Sequence, residues 1–324
     1  MIEKYYNGVI EQVAGGIGNV EHNSILVRYS NDFSIWDLES VNHYKDQTDI
    51  FFTCHEFSYN KIAEAYEPYL GLIRQMFHKY CSGTLEEFME ECDVYKLQRP
   101  VFESYFEKGF CERTEQILID EVEYEQERMR NSIVTMLQKL SEIRPVVIVL
   151  NRFQLASKST MQLSNSLLQV KNKNIGIVLG VNDVQSIPEF AHEEWDAICE
   201  SMDDRNMVYH IGNAGRNMEP DVMDYYSDYE SDDGYRKLNN LVYFLDFDQA
   251  NHHLSKIERR IKFDNFTISE KKHYQLLLLQ IMVSVLQRDI AKALESCEDL
   301  EKLQDQEKEG AFYYNFWMAT SYMY

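Results

Sequence analysis

The chain has 324 residues, enough for two domains and a sizeable core, and its 44% hydrophobic and 13% aromatic content marks it as globular rather than disordered. Its formal net charge of -22 describes a surface that repels phosphate backbones, which argues against nucleic acid as a direct partner. No apolar run reaches the roughly 18 residues of a membrane span, and MIEKYYNGVIEQ lacks the charged head and apolar core of a secretory signal, so the expectation is a cytoplasmic protein with no membrane partner.

Residues 1 to 18 read as a short amphipathic helix closed by Gly15, Gly16 and Gly18, where the missing Cβ permits left-handed termination. A phosphate-binding loop would follow a strand and end in Lys-Ser/Thr; this glycine cluster precedes the first strand and has no lysine. Ser24 to Ser30 predicts that strand, residues 33 to 44 a helix, and Ile50 to Cys54 a second strand. Next, Tyr66-Glu67-Pro68-Tyr69 opens a helix with Leu70, Ile73, Met76, Phe77 and Tyr80 at helical spacing. Pro68 suits a first turn, where no N–H is needed. Residues 85 to 143 predict three further helices, marked by Leu85 to Cys92, by Val101 to Phe106, and by a long apolar stripe from Leu118 to Leu140 that stops before Pro145.

Val146 to Leu150 is an unbroken run of β-branched and aliphatic residues, suited to a parallel strand buried on both faces, and Ile175 to Val181 is another. A polar amphipathic segment between them supplies the crossover that parallel neighbours need, making a right-handed βαβ unit. Residues 189 to 202 predict a helix and Met207 to Gly212 a fifth strand.

The stretch Arg144 to Asp183 resembles the Walker B strand, helix and sensor strand of the STAND branch of AAA-type P-loop ATPases. Leu155-Ala156-Ser157 stands where that family has Trp-Ala-Asp, and Leu163 and Leu167 keep the leucines of its next helix. Tyr66-Glu67-Pro68-Tyr69 is similar to the Pro-Tyr pair after the family's second strand. The resemblance implies an α/β P-loop-NTPase-like domain over residues 1–215, with a parallel five-stranded sheet in the order 5-1-4-3-2 flanked by helices. It also implies where a nucleotide would sit, and there the residues are altered. The junction after the first strand, Arg28 to Trp36, holds Asn31 and Ser34 but no glycine and no lysine. Phe33 and Trp36 would crowd the pocket, and Asp32 would repel a triphosphate.

Asn151 and Arg152 occupy the slots of the family's metal-orienting and water-activating acids, and Asn182 the slot of its polar sensor. An amide and a guanidinium neither help hold Mg²⁺ as anions nor take a proton from water. The expectation is a degenerate nucleotide site, Asn31, Ser34, Asn151, Arg152 and Asn182, with no catalytic residue, no metal and no cofactor.

Residues 216–237 read as an acidic, tyrosine-rich linker. Asp228, Glu230, Asp232 and Gly234 suggest a calcium loop, but the sixth and twelfth positions are Asp233 and Asn239 instead of Gly and Glu. From 238 to 324 the pattern is helical: 248 to 262, 269 to 287, 289 to 304 and 309 to 324. Tyr274 and Leu277 with Ala293, then Ala319 and Tyr322, resemble tetratricopeptide (TPR) helix pairs, although Ile281 fills a small slot and the terminal proline is missing. The apolar ending Phe312 to Ala319 lacks a polar capping face, which predicts a chain that continues into more repeats, or self-association through the last helix.

Other chemistry is sparse. Cys54, Cys81, Cys92, Cys111, Cys199 and Cys297 form no C-x-x-C pair and read as buried reduced thiols, neither disulfides nor a zinc site. His55-Glu56, His192-Glu193-Glu194 and His252-His253 read as surface groups, since adjacent helical residues point about 100° apart. The reading that follows is a non-catalytic regulatory module, a pseudo-ATPase scaffold with helical repeats that bind a protein or peptide, with an output domain downstream of Tyr324. The alternatives are a STAND-type switch that binds ATP through non-standard residues, and an unrelated α/β enzyme with a pocket near Asn151 and Asn182.

Overall fold

The computed structural model describes residues 2–20, 23–30, 34–45, 49–58, 61–111, 122–183, 191–205, 207–211, 231–263 and 267–303. Helix α1 (Ile2–Gly16) ends at the predicted glycines, with Gly18 at φ 83°. Five strands follow, β1 (Asn23–Tyr29), β2 (Phe51–Glu56), β3 (Val146–Asn151), β4 (Ile175–Asn182) and β5 (Val208–Ile211). They form one all-parallel sheet in the order β2-β3-β4-β1-β5, which is the order the resemblance implies.

The buried strands are two-sided, as the continuous apolar runs predict. Alternate residues of β3 divide between two cores: Val146, Ile148 and Leu150 pack with the helices of one face, and Val147 and Val149 with α1 on the other. That second face is covered by α1 and α2 (Glu39–Lys45), through Val9, Ile10, Val13, Leu38 and Val41. The expected single helix over 33–44 is instead a 3₁₀ turn, Ile35–Asp37, followed by α2. Ser34 caps the turn by accepting from Trp36 N, and Leu38 is extended at ψ 131°, which breaks the helical run.

The larger face carries α3 (Tyr69–Tyr80), α4 (Leu85–Glu91), α5 (Arg99–Lys108), α6 (Val122–Ile143), α7 (Lys158–Gln169) and α8 (His192–Asp203). Thr84 and Glu87 form a reciprocal capping box that starts α4, and Ser157 caps α7. No helix among the described residues is long and apolar enough to cross a membrane.

Helix α9 (Asp232–Tyr243) starts within the stretch that composition assigns to a linker. Ser231 accepts from Gly234 N, and Asp232 and Asp233 occupy the first turn, where negative charge meets the positive end of the helix dipole. The acids that look like solvated linker are a helix start. The calcium-loop candidate otherwise lies outside the described residues, as does the expected helix over 309–324.

Helices α9 and α10 (Phe247–Phe263) join the core of the larger face through Leu238, Leu241, Phe244, Phe247 and Leu254. Polar bonds staple them there. Asn240 Oδ1 accepts from Cys111 N at 2.9 Å, Asp246 Oδ2 from Ser159 N at 2.9 Å, and Gln249 Nε2 donates to Ala63 O at 3.1 Å. Helix α11 (Glu270–Leu286) begins polar, but from Leu276 to Val285 it is buried at every position because it is sandwiched there. Its Leu276, Leu279 and Val283 meet the main core, and its Leu277, Leu278 and Ile281 meet Ala293, Cys297 and Leu300 of α12 (Ile290–Lys302).

Candidate functional site

The positions that the resemblance assigns to a nucleotide site map to the C-terminal edge of the sheet, except Asn31, which lies outside the described residues. Asn151 ends β3 and is fully buried; its Oδ1 accepts from the Tyr29 hydroxyl at 2.7 Å, across from the end of β1. Tyr6 of α1 packs edge-on against Tyr29, with ring centroids 6.4 Å apart. Both rings are buried. Beneath them lies Gly180 of β4, where a Cβ would collide with the Tyr6 hydroxyl and sit 2.7 Å from Asn151 Oδ1. Two phenols and an amide thus fill the space over the central strands. Burial pushes the Tyr6 hydroxyl well above its ordinary pKa, with nearby Tyr29 and Glu56 adding to the effect, so it stays neutral.

Arg152 and Ser34 meet through Glu56, the last residue of β2. Glu56 Oε1 lies 3.2 Å from Arg152 Nη1, while its Oε2 accepts from Ile35 N at 3.1 Å and lies 3.5 Å from Ser34 Oγ. With both oxygens engaged, Glu56 is a brace between three segments and is poorly placed as a proton acceptor. Arg152 sits at φ 52°, a left-handed conformation that costs a non-glycine residue about 1 kcal/mol or more. Asn182 is buried, and its backbone N–H donates to Gln154 Oε1 at 3.3 Å. Beside it Arg28 Nε donates to Asp183 Oδ1 at 2.7 Å. Ser34, Arg152, Asn151 and Asn182 are therefore gathered at one edge, and each is engaged in internal contacts.

Trp36 departs from expectation. It is 46% exposed and lies under the Lys45 ammonium, 4.7 Å from the ring centroid, so it does not crowd the sheet edge; Phe33 lies outside the described residues. The groups that do fill the edge are Tyr6, Tyr29 and Gln154, none of which belongs to a motif. Tyr29 lies inside the strand predicted over Ser24 to Ser30 and is the last residue of the observed one, whereas Tyr6 lies in a helix whose packing no motif announces.

A second polar cluster lies beside β2. His55, Glu64, Glu67 and Tyr105 line a cavity of about 240 Å³. Glu67 Oε2 accepts from Glu64 N at 3.0 Å, its Oε1 is 3.5 Å from His55 Nε2, and Glu64 Oε2 accepts from Asn240 Nδ2 at 2.9 Å. Burial, and then the Glu67 carboxylate, push Glu64 up to about 7. Burial also brings His55 down to about 4, so at neutral pH its contact with Glu67 joins a neutral ring to a carboxyl group.

The surface reading of the histidines thus fails for His55. It fails also for His253, which is buried and brought down to about 3, first by burial. The six cysteines are free, as read, but only Cys92, Cys111 and Cys297 are buried. Among the described residues no group of three or more His, Cys, Asp or Glu is placed to hold a metal ion.

No family model matches the sequence, and no curated protein matches it either.

Proposed function

We propose that the chain is a non-catalytic regulatory module: a scaffold related to STAND-type P-loop ATPases whose nucleotide site has been filled, joined to TPR-like helices that carry a protein partner and, in a larger signalling protein, to an output domain. The observation that carries this reading is the Tyr29–Asn151 hydrogen bond with Tyr6 wedged over Gly180. Phosphates bind at such a strand edge through open backbone N–H groups, a lysine and small residues. Here two buried tyrosines occupy the space over the central strands, and the cations beside them, Arg152 and Arg28, are paired with Glu56 and Asp183. Opening the site would uncover both rings and leave the Asn151 amide without its donor.

Signalling then proceeds by binding alone, with the α11–α12 hairpin as the surface for the partner. Thermal unfolding with ATP, ADP and GTP in the presence of Mg²⁺ tests the proposal. A ligand at 100 times its dissociation constant adds about 2.7 kcal/mol of stability, so the expected result is an unchanged melting temperature with all three. A saturable rise with any of them, or steady phosphate release, would favour the ATP-binding switch instead.

A further inference from the structure

Among the described residues strand β2 forms one edge of the sheet. Every residue of β2 is half-buried, whereas every residue of its neighbour β3 is buried. The register decides which backbone groups face outward. Phe51 N donates to Pro145 O at 2.7 Å and Phe57 N to Asn151 O at 3.0 Å, so the odd-numbered residues turn toward β3. In a parallel ladder the alternate residues, Phe52 and Cys54, then present their N–H and C=O to the open side. Edge strands are commonly blunted by a proline, a bulge or a charge. Phe51–Glu56 carries no proline and no lysine, pairs with β3 without a bulge, and is rich in residues that favour extended structure; its one charge, Glu56, is turned to Arg152 and Ile35 N.

A groove follows this edge, with α3 as its far wall. Its first part, about 570 Å³, runs past Ile50 to Phe52, and its second, about 240 Å³, past Thr53 to His55; Gln75 of α3 lines both. The two parts differ in charge. Lys45 and Lys79 border the first, each lying over aromatic rings. Glu64 and Glu67 border the second, and their described contacts are an amide, a backbone N–H and the neutral His55 ring.

We propose that the open edge of β2 is a docking site for an extended segment of a partner protein, which adds as a sixth strand and carries an acidic side chain toward Lys45 and Lys79 and a basic one toward Glu64 and Glu67. Strand addition supplies affinity through main-chain bonds, and the charges at the two ends supply specificity. The separation from Phe51 to His55 is four residues, about 13 Å at roughly 3.3 Å per residue, so the two charged side chains of the guest stand about four positions apart. This surface is distinct from the helical hairpin, and the inference does not depend on the function proposed above.

The test uses the whole chain and a fluorescent eight-residue peptide of alternating Val and Thr with one Asp and one Lys four positions apart, followed by anisotropy. The expected result is saturable binding that depends on peptide nitrogens with a period of two. N-methylation of one alternate set lowers affinity about tenfold, the worth of one or two backbone hydrogen bonds, and methylation of the other set leaves it within about twofold. Lys79→Glu, an exposed change that leaves the circular dichroism spectrum intact, weakens binding roughly two- to fivefold, as loss of an exposed ion pair does. Replacing the peptide's Asp by Lys restores it. Absence of binding, or equal tolerance of N-methylation at every position, overturns the proposal. So does sedimentation as a dimer that the peptide fails to dissolve, which would assign the edge to a second copy of this chain.

Discussion

Glu64 lends itself to a quantitative test, because its environment gives stability a definite dependence on pH. A carboxyl held at about 7 instead of its ordinary 4.5 is a group that the folded state prefers protonated. Its contribution is fully present below pH 4.5 and is lost as pH rises through 7. At about 1.4 kcal/mol per pH unit, the folded state is penalised by about 3 kcal/mol once Glu64 is ionised. Glu64→Gln keeps an oxygen to accept from Asn240 Nδ2, now 2.9 Å from the carboxylate, and removes the charge. The variant should match the wild type near pH 4.5 and exceed it by up to about 3 kcal/mol at pH 8. Urea unfolding at half-unit pH steps reads this difference directly. With a slope of about 3 kcal/mol per molar, it appears as a midpoint raised by up to about 1 M.

Subtraction is essential because His55, brought down to about 4, works in the opposite sense. A histidine that the folded state keeps neutral loses stability as pH falls through 6.5, so in the wild type the two slopes largely cancel between pH 4.5 and 6.5. A difference that is flat with pH, or a wild type that is the more stable form at pH 8, would refute the reasoning about this cavity.

Gly180→Ala should destabilise by about 1–3 kcal/mol, the range for an extra methyl in a packed core, because the new Cβ meets the Tyr6 hydroxyl and Asn151; thermal melts should show that Tyr6→Phe in the same chain recovers part of the loss. Tyr29→Phe removes the donor to Asn151 Oδ1 and should cost about 1–3 kcal/mol by leaving a buried amide unpaired. Adding Asn151→Leu, so that both ends of the bond become apolar, should return most of that in chemical denaturation.

Much of the architecture could be read from local pattern. The β3 and β4 runs are apolar at every position, which only a strand covered on both faces tolerates. Pro145, Pro68 and the glycines after α1 mark element ends through backbone geometry that is independent of context. The strand order followed from a resemblance carried by those same strands. The end of the acidic stretch is ambiguous by composition, because Asp232 and Asp233 suit a solvated loop and a capped first turn equally; Ser231 distinguishes the two. Asn151 and Arg152 stand out in the sequence as residues at a strand's end, whereas Tyr6 meets Asn151 over Gly180 only when α1 folds back over β4.

Sequence by itself therefore determined most of the strands and helices and which strands are buried on both faces. These are properties of neighbouring residues, set by the two periodicities and by backbone sterics. Tertiary structure alone decided that Tyr6, Tyr29 and Asn151 meet at the C-terminal ends of the strands, that among the described residues β2 is an edge strand beside α3, and that Glu64 shares a cavity with Glu67 and His55. Each of these joins residues from different elements, and the distances, desolvation and charge that govern them exist only once the elements pack.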